Sequence, residues 1–339
     1  MSSTKSLKKQ ISRCCTFILW PVQVFTTAKS FKRNRVIGSR FLNRMGLHVA
    51  RVVVAHVFFR FRLWLLGPLV SKGDRRAFKQ DGIIIKKDFL PPEIFDLVRN
   101  ELSNFNGERR ERIEGSTRTR RLYFDASSLE DLPETRGAIS SRLFSQLLRF
   151  ATSRNRMPHF IFEELKLQGG KKGETDPQMM MHRDTYHPCT KAWLFLDDVE
   201  EGVAPHVFAP GSHRLTKARI RWEYRQSILS SDPGWKRPWD GSFRISEKDL
   251  KEITGREPLE LVVPANTLVV SNVFGFHRRG DASRRGERLT LFMHSRTSPF
   301  SPLVTLFPRL AFKLDLKLAE IFFRSRFSRR QGKRVGGDH

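Results

Sequence analysis

Two histidines and an aspartate are the side chains in this sequence best suited to hold a metal ion together. His182 and Asp184 are separated by one residue, and His277 lies far downstream. Alternate side chains of an extended strand share a face, so a strand here would direct His182 and Asp184 at one metal while Arg183 points away. Two imidazoles and one carboxylate leave three adjacent coordination positions open, as in non-haem Fe(II) oxygenases. An isolated H-x-D is also typical of a hydrogen-bonded histidine, so its sequence context decides between the two interpretations.

The context is a set of further motifs in a fixed order. Trp193 lies in the apolar run AWLFLDDV, an acidic residue and a glycine form a turn at 201–202, and the letters P-G-S-H-R occupy 210–214. His277 comes next, and Arg288 follows it eleven residues later. Apolar runs that are typical of buried strands carry or flank these motifs. They are HFIFEELKLQ, AWLFLDDV, the two halves of LELVVPANTLVVSNVFGFH, and ERLTLFMHSR.

In this order and spacing, the chain resembles the phytanoyl-CoA dioxygenase family of Fe(II)- and 2-oxoglutarate-dependent oxygenases over residues 78 to 298. The resemblance implies a mainly β fold with flanking helices, in which residues 76–300 form a double-stranded β-helix (jelly-roll, cupin-like) core. It also implies that His182, Asp184 and His277 bind Fe(II) as a cofactor. An alanine or glycine in place of Asp184 would open a position for halide, so the aspartate favours hydroxylation of an unactivated C–H bond.

The same resemblance implies where the cosubstrate 2-oxoglutarate binds. Two open metal positions take its 1-carboxylate and 2-keto group, and its far carboxylate needs a permanently charged, bidentate partner, which Arg288 supplies. Thr290 lies two residues further along the same predicted strand and faces the same way, so it is a candidate second donor. Trp193 is expected either to form a wall of this cavity or to be an ordinary core tryptophan.

Other segments near the motifs are predicted to surround the site. The polar, arginine-rich stretch 106–136 is predicted as loops at the rim, with a possible strand at Tyr123 and Phe124. Residues 215–258 form an insertion with several tryptophans, which either fix it to the body or let it cover the site as a lid. His187 and His206 are expected at the rim or in hydrogen bonds, and His213 is expected to stabilise a turn, so none of the three is assigned to the metal.

The positive charge of the chain is concentrated at its two ends. The net charge is +27, and residues 1–79 hold 17 Lys and Arg against one acid, while residues 301–339 hold nine against three. The 36 basic and 31 acidic residues that remain nearly balance, as in an ordinary globular domain. We therefore predict a basic amphipathic region over 1–75 and a basic helix and tail over 301–339. With only three cysteines, a reducing, cytoplasmic compartment is the natural prediction.

An apolar segment over 45–70 is long enough to span a membrane, but Arg51, Arg60 and Arg62 interrupt it. We expect it to lie in the headgroup layer of an anionic membrane, as a peripheral helix on the cytoplasmic face. Packing against the folded domain and spanning the bilayer are the alternatives. A membrane location favours a small-molecule substrate that is a lipid or lipid-linked.

Two other functions are compatible with parts of the sequence. Basic ends are also typical of proteins that bind nucleic acid, and a nucleic-acid-associated oxygenase is the first alternative. Demethylating members of the wider superfamily carry a second arginine six residues after the cosubstrate arginine, and this chain has His294 there. The second alternative is a non-catalytic binding module on the same fold. Such a module usually lacks a metal ligand, whereas this sequence retains all three.

Overall fold

The structure is a computed structural model. It describes residues 20–114, 117–167, 176–235, 240–295, 298–307, 309–310 and 313–314. The helices are α1 Arg40–Arg44, α2 Leu47–Leu66, α3 Lys72–Gln80, α4 Pro92–Asn104, α5 Ala126–Glu130, α6 Pro133–Ser140, α7 Arg142–Ala151, α8 Lys217–Ser230 and α9 Glu247–Thr254. The strands are β1 Ile83–Lys86, β2 Arg110–Glu114, β3 Thr117–Tyr123, β4 His159–Leu167, β5 Thr190–Phe195, β6 His206–Phe208, β7 Leu259–Leu261, β8 Leu268–Asn272, β9 His277–Arg279 and β10 Gly286–His294.

The strands form two antiparallel sheets between which the chain alternates. The larger sheet has the order β1-β8-β5-β10-β4-β3-β2, and the smaller has the order β7-β6-β9. From β4 onward the chain passes to the small sheet at His182, which bridges to His277, then to β5 in the large sheet and to β6 and β7 in the small one. It then crosses to β8, back to β9, and ends in β10. This alternation is the double-stranded β-helix, so the predicted fold class is confirmed.

The two faces of the large sheet bury different sets of apolar side chains. Because side chains alternate along a strand, β5 directs Trp193 and Phe195 toward the small sheet and Ala192 and Leu194 toward the helices. The inner cluster joins both sheets through Phe208 and Phe292. The outer cluster covers the sheet with residues of α2, α4 and α7. The outer face of the large sheet is therefore covered, and its inner face turns toward the small sheet, where His182 pairs with His277.

Helix α4 begins at a pair of prolines, with Pro91 as its N-cap and Pro92 as its first residue, and proline suits this position because the first helical N–H needs no partner. The predicted loops over most of 106–136 are wrong, whereas the possible strand at Tyr123 and Phe124 agrees with β3, which ends at Tyr123. Residues 110–123 form the hairpin β2–β3, which extends the large sheet, and α5 and α6 follow it. In β3 the alternation of threonine and arginine buries Thr119, while Arg120 pairs with Glu111 at 3.1 Å. Cross-strand ion pairs thus let a charged sequence form an edge hairpin.

The insertion at 215–258 is largely helical rather than a loop. It contains α8 and α9, and Trp222 of α8 is fully buried against Phe243 and Phe276. This side chain fixes the insertion to the body, and a role for the insertion as a lid stays a prediction.

Near the N-terminus, the segment Leu47–Leu69 is the one part of the described chain that is long and apolar enough to cross a membrane by length and hydropathy alone. In this structure one face of α2 packs on the domain. Residues 1–19 and most of the predicted C-terminal helix and tail lie outside the described residues.

Candidate metal centre and cosubstrate pocket

The structure brings His182, Asp184 and His277 together. One ligand atom from each lies within 4.8 Å of the others. Asp184 Oδ1 is 3.5 Å from His182 Nε2 and 3.7 Å from His277 Nε2, and the two imidazole centroids are 4.6 Å apart. The three donors therefore converge on one point from two segments of the chain, 182–184 and β9, as a two-histidine, one-carboxylate triad requires.

A strand was predicted through His182 and Asp184, and this prediction is wrong. His182 makes isolated bridges to His277 and Arg244 instead of continuing in a strand. The N–H and carbonyl of His182 exchange two 2.9 Å hydrogen bonds with those of His277, so the two histidines lie directly opposite each other at the end of the small sheet. Arg183 points away from the metal side, as predicted, and is completely buried.

Backbone carbonyls fix both imidazoles with Nε2 toward the metal position. Nδ1 of His182 donates to the carbonyl oxygen of Met180 at 2.7 Å, and Nδ1 of His277 donates to that of Gly275 at 3.0 Å. Each Nε2 then carries the lone pair, which a metal needs. His277 Nε2 is buried and has no hydrogen-bond partner within the described part of the chain. Burial lowers the pKa of His277 to about 3, so the ring is neutral. These observations fit a bound divalent metal.

Two lysines hold Asp184 in place. Lys191 Nζ is 2.6 Å from Asp184 Oδ2, and Lys29 Nζ donates to the Asp184 carbonyl oxygen at 2.5 Å. Burial would raise the pKa of this carboxyl, but Lys191, His277 and His182 hold the pKa well below its ordinary value. Because Oδ2 is engaged by Lys191 and Oδ1 faces the two imidazoles, the carboxylate is arranged to bind a metal through one oxygen.

Lys191→Met should therefore weaken metal binding without unfolding the protein. Removing a partner that orients a metal ligand typically lowers metal affinity by about 10- to 100-fold. We expect a loss of this size in the Fe(II) dissociation constant measured by anaerobic titration. Lys166→Met is the matched control, because Lys166 forms a similar 3.0 Å ion pair with Glu287 at an exposed position. Equal metal affinity in both variants would show that Lys191 does not position Asp184.

Arg288 lies on the inner face of β10, where it is buried. One guanidinium nitrogen, Nη1, donates to the Ala204 carbonyl oxygen at 2.5 Å, and the guanidinium carbon is 5.5 Å from the centroid of Phe195. Burial lowers the pKa of Arg288 to about 10, which leaves it charged at neutral pH. Its Nε is buried without a hydrogen-bond partner among the described residues. A buried guanidinium with an unused donor fits a carboxylate ligand.

Thr290 and Trp193 share the inner face with Arg288. In the register of the sheet, Thr290 lies opposite Phe195, and Phe292 lies opposite Trp193. Thr290 is buried, and its hydroxyl donates a long hydrogen bond of 3.4 Å to the Glu163 carbonyl oxygen. The Trp193 ring lies 5.7 Å from that of Phe292. Both residues are therefore placed on the cavity side, and their roles toward 2-oxoglutarate stay predictions.

His206 was expected at the rim or in a hydrogen bond, and neither holds. Its ring is buried 4.5 Å from the Trp193 ring and 5.6 Å from the His277 ring, and its Nε2 has no hydrogen-bond partner in the described chain. Burial above all, with the nearby basic groups, lowers its pKa, so His206 is a neutral ring beside His277 and Trp193. The alternation in His206–Phe208 puts His206 and Phe208 on one face, which was the available signal.

The two remaining histidines lie away from the triad. His187 is buried, and its Nδ1 donates to the Pro188 carbonyl at 3.0 Å, which agrees with the predicted hydrogen-bonding role. His213 packs against Gly82, where a Cβ would lie 2.4 Å from its Nδ1. Gly82 also has a φ of +80°, so a side chain is excluded there for two reasons.

Solved structures similar to this chain include three proteins whose structures contain a bound metal. The epimerase SnoN, in complex with Fe3+ and α-ketoglutarate, is 18% identical, with 64% of this chain and 80% of SnoN covered and a TM-score of 0.43. HygX from Streptomyces hygroscopicus, with nickel and 2-oxoglutarate, is 16% identical, covering 66% and 86%, with a TM-score of 0.39. EctD from S. alaskensis, with bound Fe, is 13% identical, covering 72% and 85%, with a TM-score of 0.44. No curated protein matches the chain.

The sequence profile of the phytanoyl-CoA dioxygenase family matches residues 78–261, which is more than half of the chain. The match contains His182 and Asp184 and ends before His277, which the fold brings to these two residues, and before Arg288 of β10. The resemblance predicted from the motifs is confirmed, and the chain belongs to the phytanoyl-CoA dioxygenase family of Fe(II)- and 2-oxoglutarate-dependent oxygenases.

Proposed function

We propose that the protein hydroxylates an unactivated C–H bond of a small molecule, using Fe(II) held by His182, Asp184 and His277. The observation that carries this proposal is the position of Asp184 Oδ1, which faces both Nε2 atoms at 3.5 and 3.7 Å. When bound, Fe(II) supplies the activation of O₂ that is coupled to the conversion of 2-oxoglutarate into succinate. The retained carboxylate of Asp184 supports hydroxylation rather than halogenation, because no metal position is vacated for halide.

The side chains of the pocket bind and orient the cosubstrate. Arg288 offers its unused Nε to the far carboxylate of 2-oxoglutarate, and Thr290 offers a hydroxyl on the same face. Trp193 and His206 form an uncharged wall beside them. This wall limits the access of water to the metal side of the pocket, and a water-poor site strengthens the ion pair between the arginine and the carboxylate.

Arg288→Ala should retain iron and bind 2-oxoglutarate much more weakly. The far carboxylate of 2-oxoglutarate would be left without its partner in a buried site. We therefore expect the dissociation constant of 2-oxoglutarate to rise by at least about a hundredfold, where each tenfold step corresponds to about 1.4 kcal/mol. Calorimetric titration of the iron-loaded variant measures this. Arg284→Ala is the control, because Arg284 is an exposed neighbour paired with Glu200 at 2.8 Å. An unchanged constant in Arg288→Ala would move the role to Arg284 or Arg285.

We further propose that the substrate is a lipid or a lipid-linked molecule and that the enzyme works at the cytoplasmic face of a membrane. The basic N-terminal region and the exposed apolar face of α2 support this. Purified protein incubated with a lipid extract, Fe(II) and 2-oxoglutarate should produce a lipid heavier by about 16 Da, the mass of the oxygen atom inserted. A +16 Da product found only among water-soluble metabolites would contradict the lipid assignment and leave the hydroxylase assignment intact.

A further inference from the structure

The arginines of helix α2 are distributed unevenly over its two faces. In the sequence, Arg51, Arg60 and Arg62 interrupt the apolar segment and oppose burial of that segment in a membrane. In the structure, Arg51 and Arg62 are buried in the protein, and only Arg60 is exposed. Two of the three charges that oppose membrane contact are therefore absent from the outward face of α2.

Hydrogen bonds to backbone carbonyls hold these two arginines inside. Arg51 Nε donates to the Val24 carbonyl at 2.8 Å and its Nη2 donates to the Ala28 carbonyl at 2.7 Å. Arg62 Nε donates to the Ser153 carbonyl at 3.1 Å, and its Nη1 donates to the Ser301 carbonyl. A helix that left the domain to span a bilayer would lose all of these bonds and carry both charges into hydrocarbon. The docked helix can therefore meet a membrane only sideways.

The outward face of α2 is an exposed apolar stripe. It consists of Val54, Val57, Phe61, Trp64 and Leu65, which follow the three- and four-residue spacing of one helix face. Trp64 is 73% exposed and stacks on Phe61 with ring centroids 6.0 Å apart. Large apolar side chains gathered on one exposed face mark an interaction site rather than ordinary surface.

Exposed positive charge accompanies the apolar stripe on α2 and on the helices before and after it in the chain, α1 and α3. The exposed basic residues are Arg40, Arg44, Arg60, Lys72, Arg76 and Lys79. Within the described part of the chain, Arg40 alone of these six pairs with an acid, Asp232. Asp74 is the one acidic residue in the first 79. Apolar side chains with an interfacial tryptophan and accompanying basic residues fit the headgroup layer of an anionic membrane, where the rings meet the acyl boundary and the cations meet phosphates.

We propose that α2 lies in the plane of an anionic lipid bilayer, with the apolar stripe in the headgroup layer and Arg51 and Arg62 turned toward the protein. The binding surface itself does not depend on the proposed reaction, although it accounts for access to a lipid substrate. Arg51 holds the carbonyls of Val24 and Ala28, and the next residue, Lys29, contacts Asp184. A docked helix α2 is thus connected through one short segment to the metal centre.

The test is sedimentation of the full-length protein with phosphatidylcholine vesicles that contain phosphatidylserine. We expect binding that salt weakens and does not abolish, because apolar contacts contribute beside charge. Phe61→Glu with Trp64→Glu should lower the partition coefficient by about a hundredfold, since two aromatic side chains are lost from the lipid and two charges of the wrong sign are added. The control variant, Leu97→Glu with Ile113→Glu, also replaces two exposed apolar residues by glutamate, on α4 and β2. It should bind vesicles as the wild type does.

Two outcomes would overturn the proposal. One is a full-length protein that ignores the vesicles, whether or not it binds oligonucleotides with the steep salt dependence of nucleic-acid binding. The other is a Phe61→Glu and Trp64→Glu variant that binds vesicles as tightly as the control variant. Turnover of 2-oxoglutarate without vesicles should be equal in the two variants. The docking surface can therefore fail while the proposed oxygenase function stands, and the reverse can also be observed.

Discussion

Asp184→Ala is expected to lose the conversion of 2-oxoglutarate into succinate. The variant removes the carboxylate whose Oδ1 faces His182 Nε2 and His277 Nε2, and leaves two imidazoles as ligands. A change in the ligand set itself should exceed the loss of about 10- to 100-fold that is typical when only a partner of a ligand is changed, so we expect turnover below about one per cent of wild type. His182→Ala should behave in the same way. Succinate formed by the purified, iron-supplemented protein measures the effect.

Asp232→Ala serves as the control for the loss of a carboxylate. Asp232 pairs with Arg40 at 3.2 Å on the surface, and its removal should leave succinate formation unchanged. Circular dichroism should show that the Asp184→Ala variant is folded, because Asp184 lies at the pocket and outside the apolar clusters. Full turnover in Asp184→Ala, with the protein folded, would remove this residue from the metal site.

The second large effect is expected at Glu223, which joins three parts of the fold in one buried ionic cluster. Glu223 of α8 accepts two 2.8 Å hydrogen bonds from Arg183, the residue between the two metal ligands. Arg219 of α8 lies 3.1 Å away, and His48 of α2 lies 2.9 Å away through Nε2. Burial would raise the pKa of Glu223, but these partners hold the pKa far below its ordinary value, so the group is a carboxylate.

Glu223→Ala should destabilise the protein by about 3–5 kcal/mol, because it leaves the buried charges of Arg183 and Arg219 without a partner. Chemical denaturation followed by tryptophan fluorescence measures the free energy of unfolding. Arg99→Ala breaks the 2.8 Å pair with Asp197 at an exposed position and should cost less than about 1 kcal/mol. A Glu223→Ala protein as stable as Arg99→Ala would mean that water reaches and solvates the cluster.

Fe(II) affinity tests the effect of Glu223→Ala on the metal site independently of its effect on stability. Arg183 lies in the chain between His182 and Asp184, so a shift of this arginine moves both ligands. We expect Glu223→Ala to bind Fe(II) more weakly than Arg99→Ala does, under conditions where both variants are folded. Unchanged iron affinity would show that the cluster supports the fold and has no effect on the metal ligands.

The convergence of His182, Asp184 and His277 and the fold class were predicted from the family resemblance that the ordered motifs carry, and several strands from periodic apolar patterns. The motif around His182 and Asp184, and the strand alternation that puts Arg288 and Thr290 on one face, are both visible in one chain. The error over the strand at His182 has a physical cause. Its bridges go to His277 and Arg244, which are distant in sequence, so no local pattern could show that pairing stops after one residue.

Helix α2 shows a different limit of sequence-based prediction. Its length and position were predictable, whereas the burial of Arg51 and Arg62 depends on carbonyls at Val24, Ala28 and Ser153 that only the folded chain presents. Hydropathy counts every arginine as a cost of contact with lipid, whatever direction it faces.

His206 was misplaced for a similar reason. Its inward direction depends on the small sheet closing over Trp193, which is a property of the fold.

Oxygen consumption and succinate formation, measured together on the purified full-length protein with Fe(II) and 2-oxoglutarate, test the metal-centre assignment most directly. We expect succinate to form in proportion to the O₂ consumed, to require Fe(II), and to disappear in Asp184→Ala while the Asp232→Ala control keeps it. Failure of the folded, iron-supplemented protein to form succinate, or succinate formation that persists after iron is removed by chelation, would contradict an Fe(II)- and 2-oxoglutarate-dependent centre at His182, Asp184 and His277.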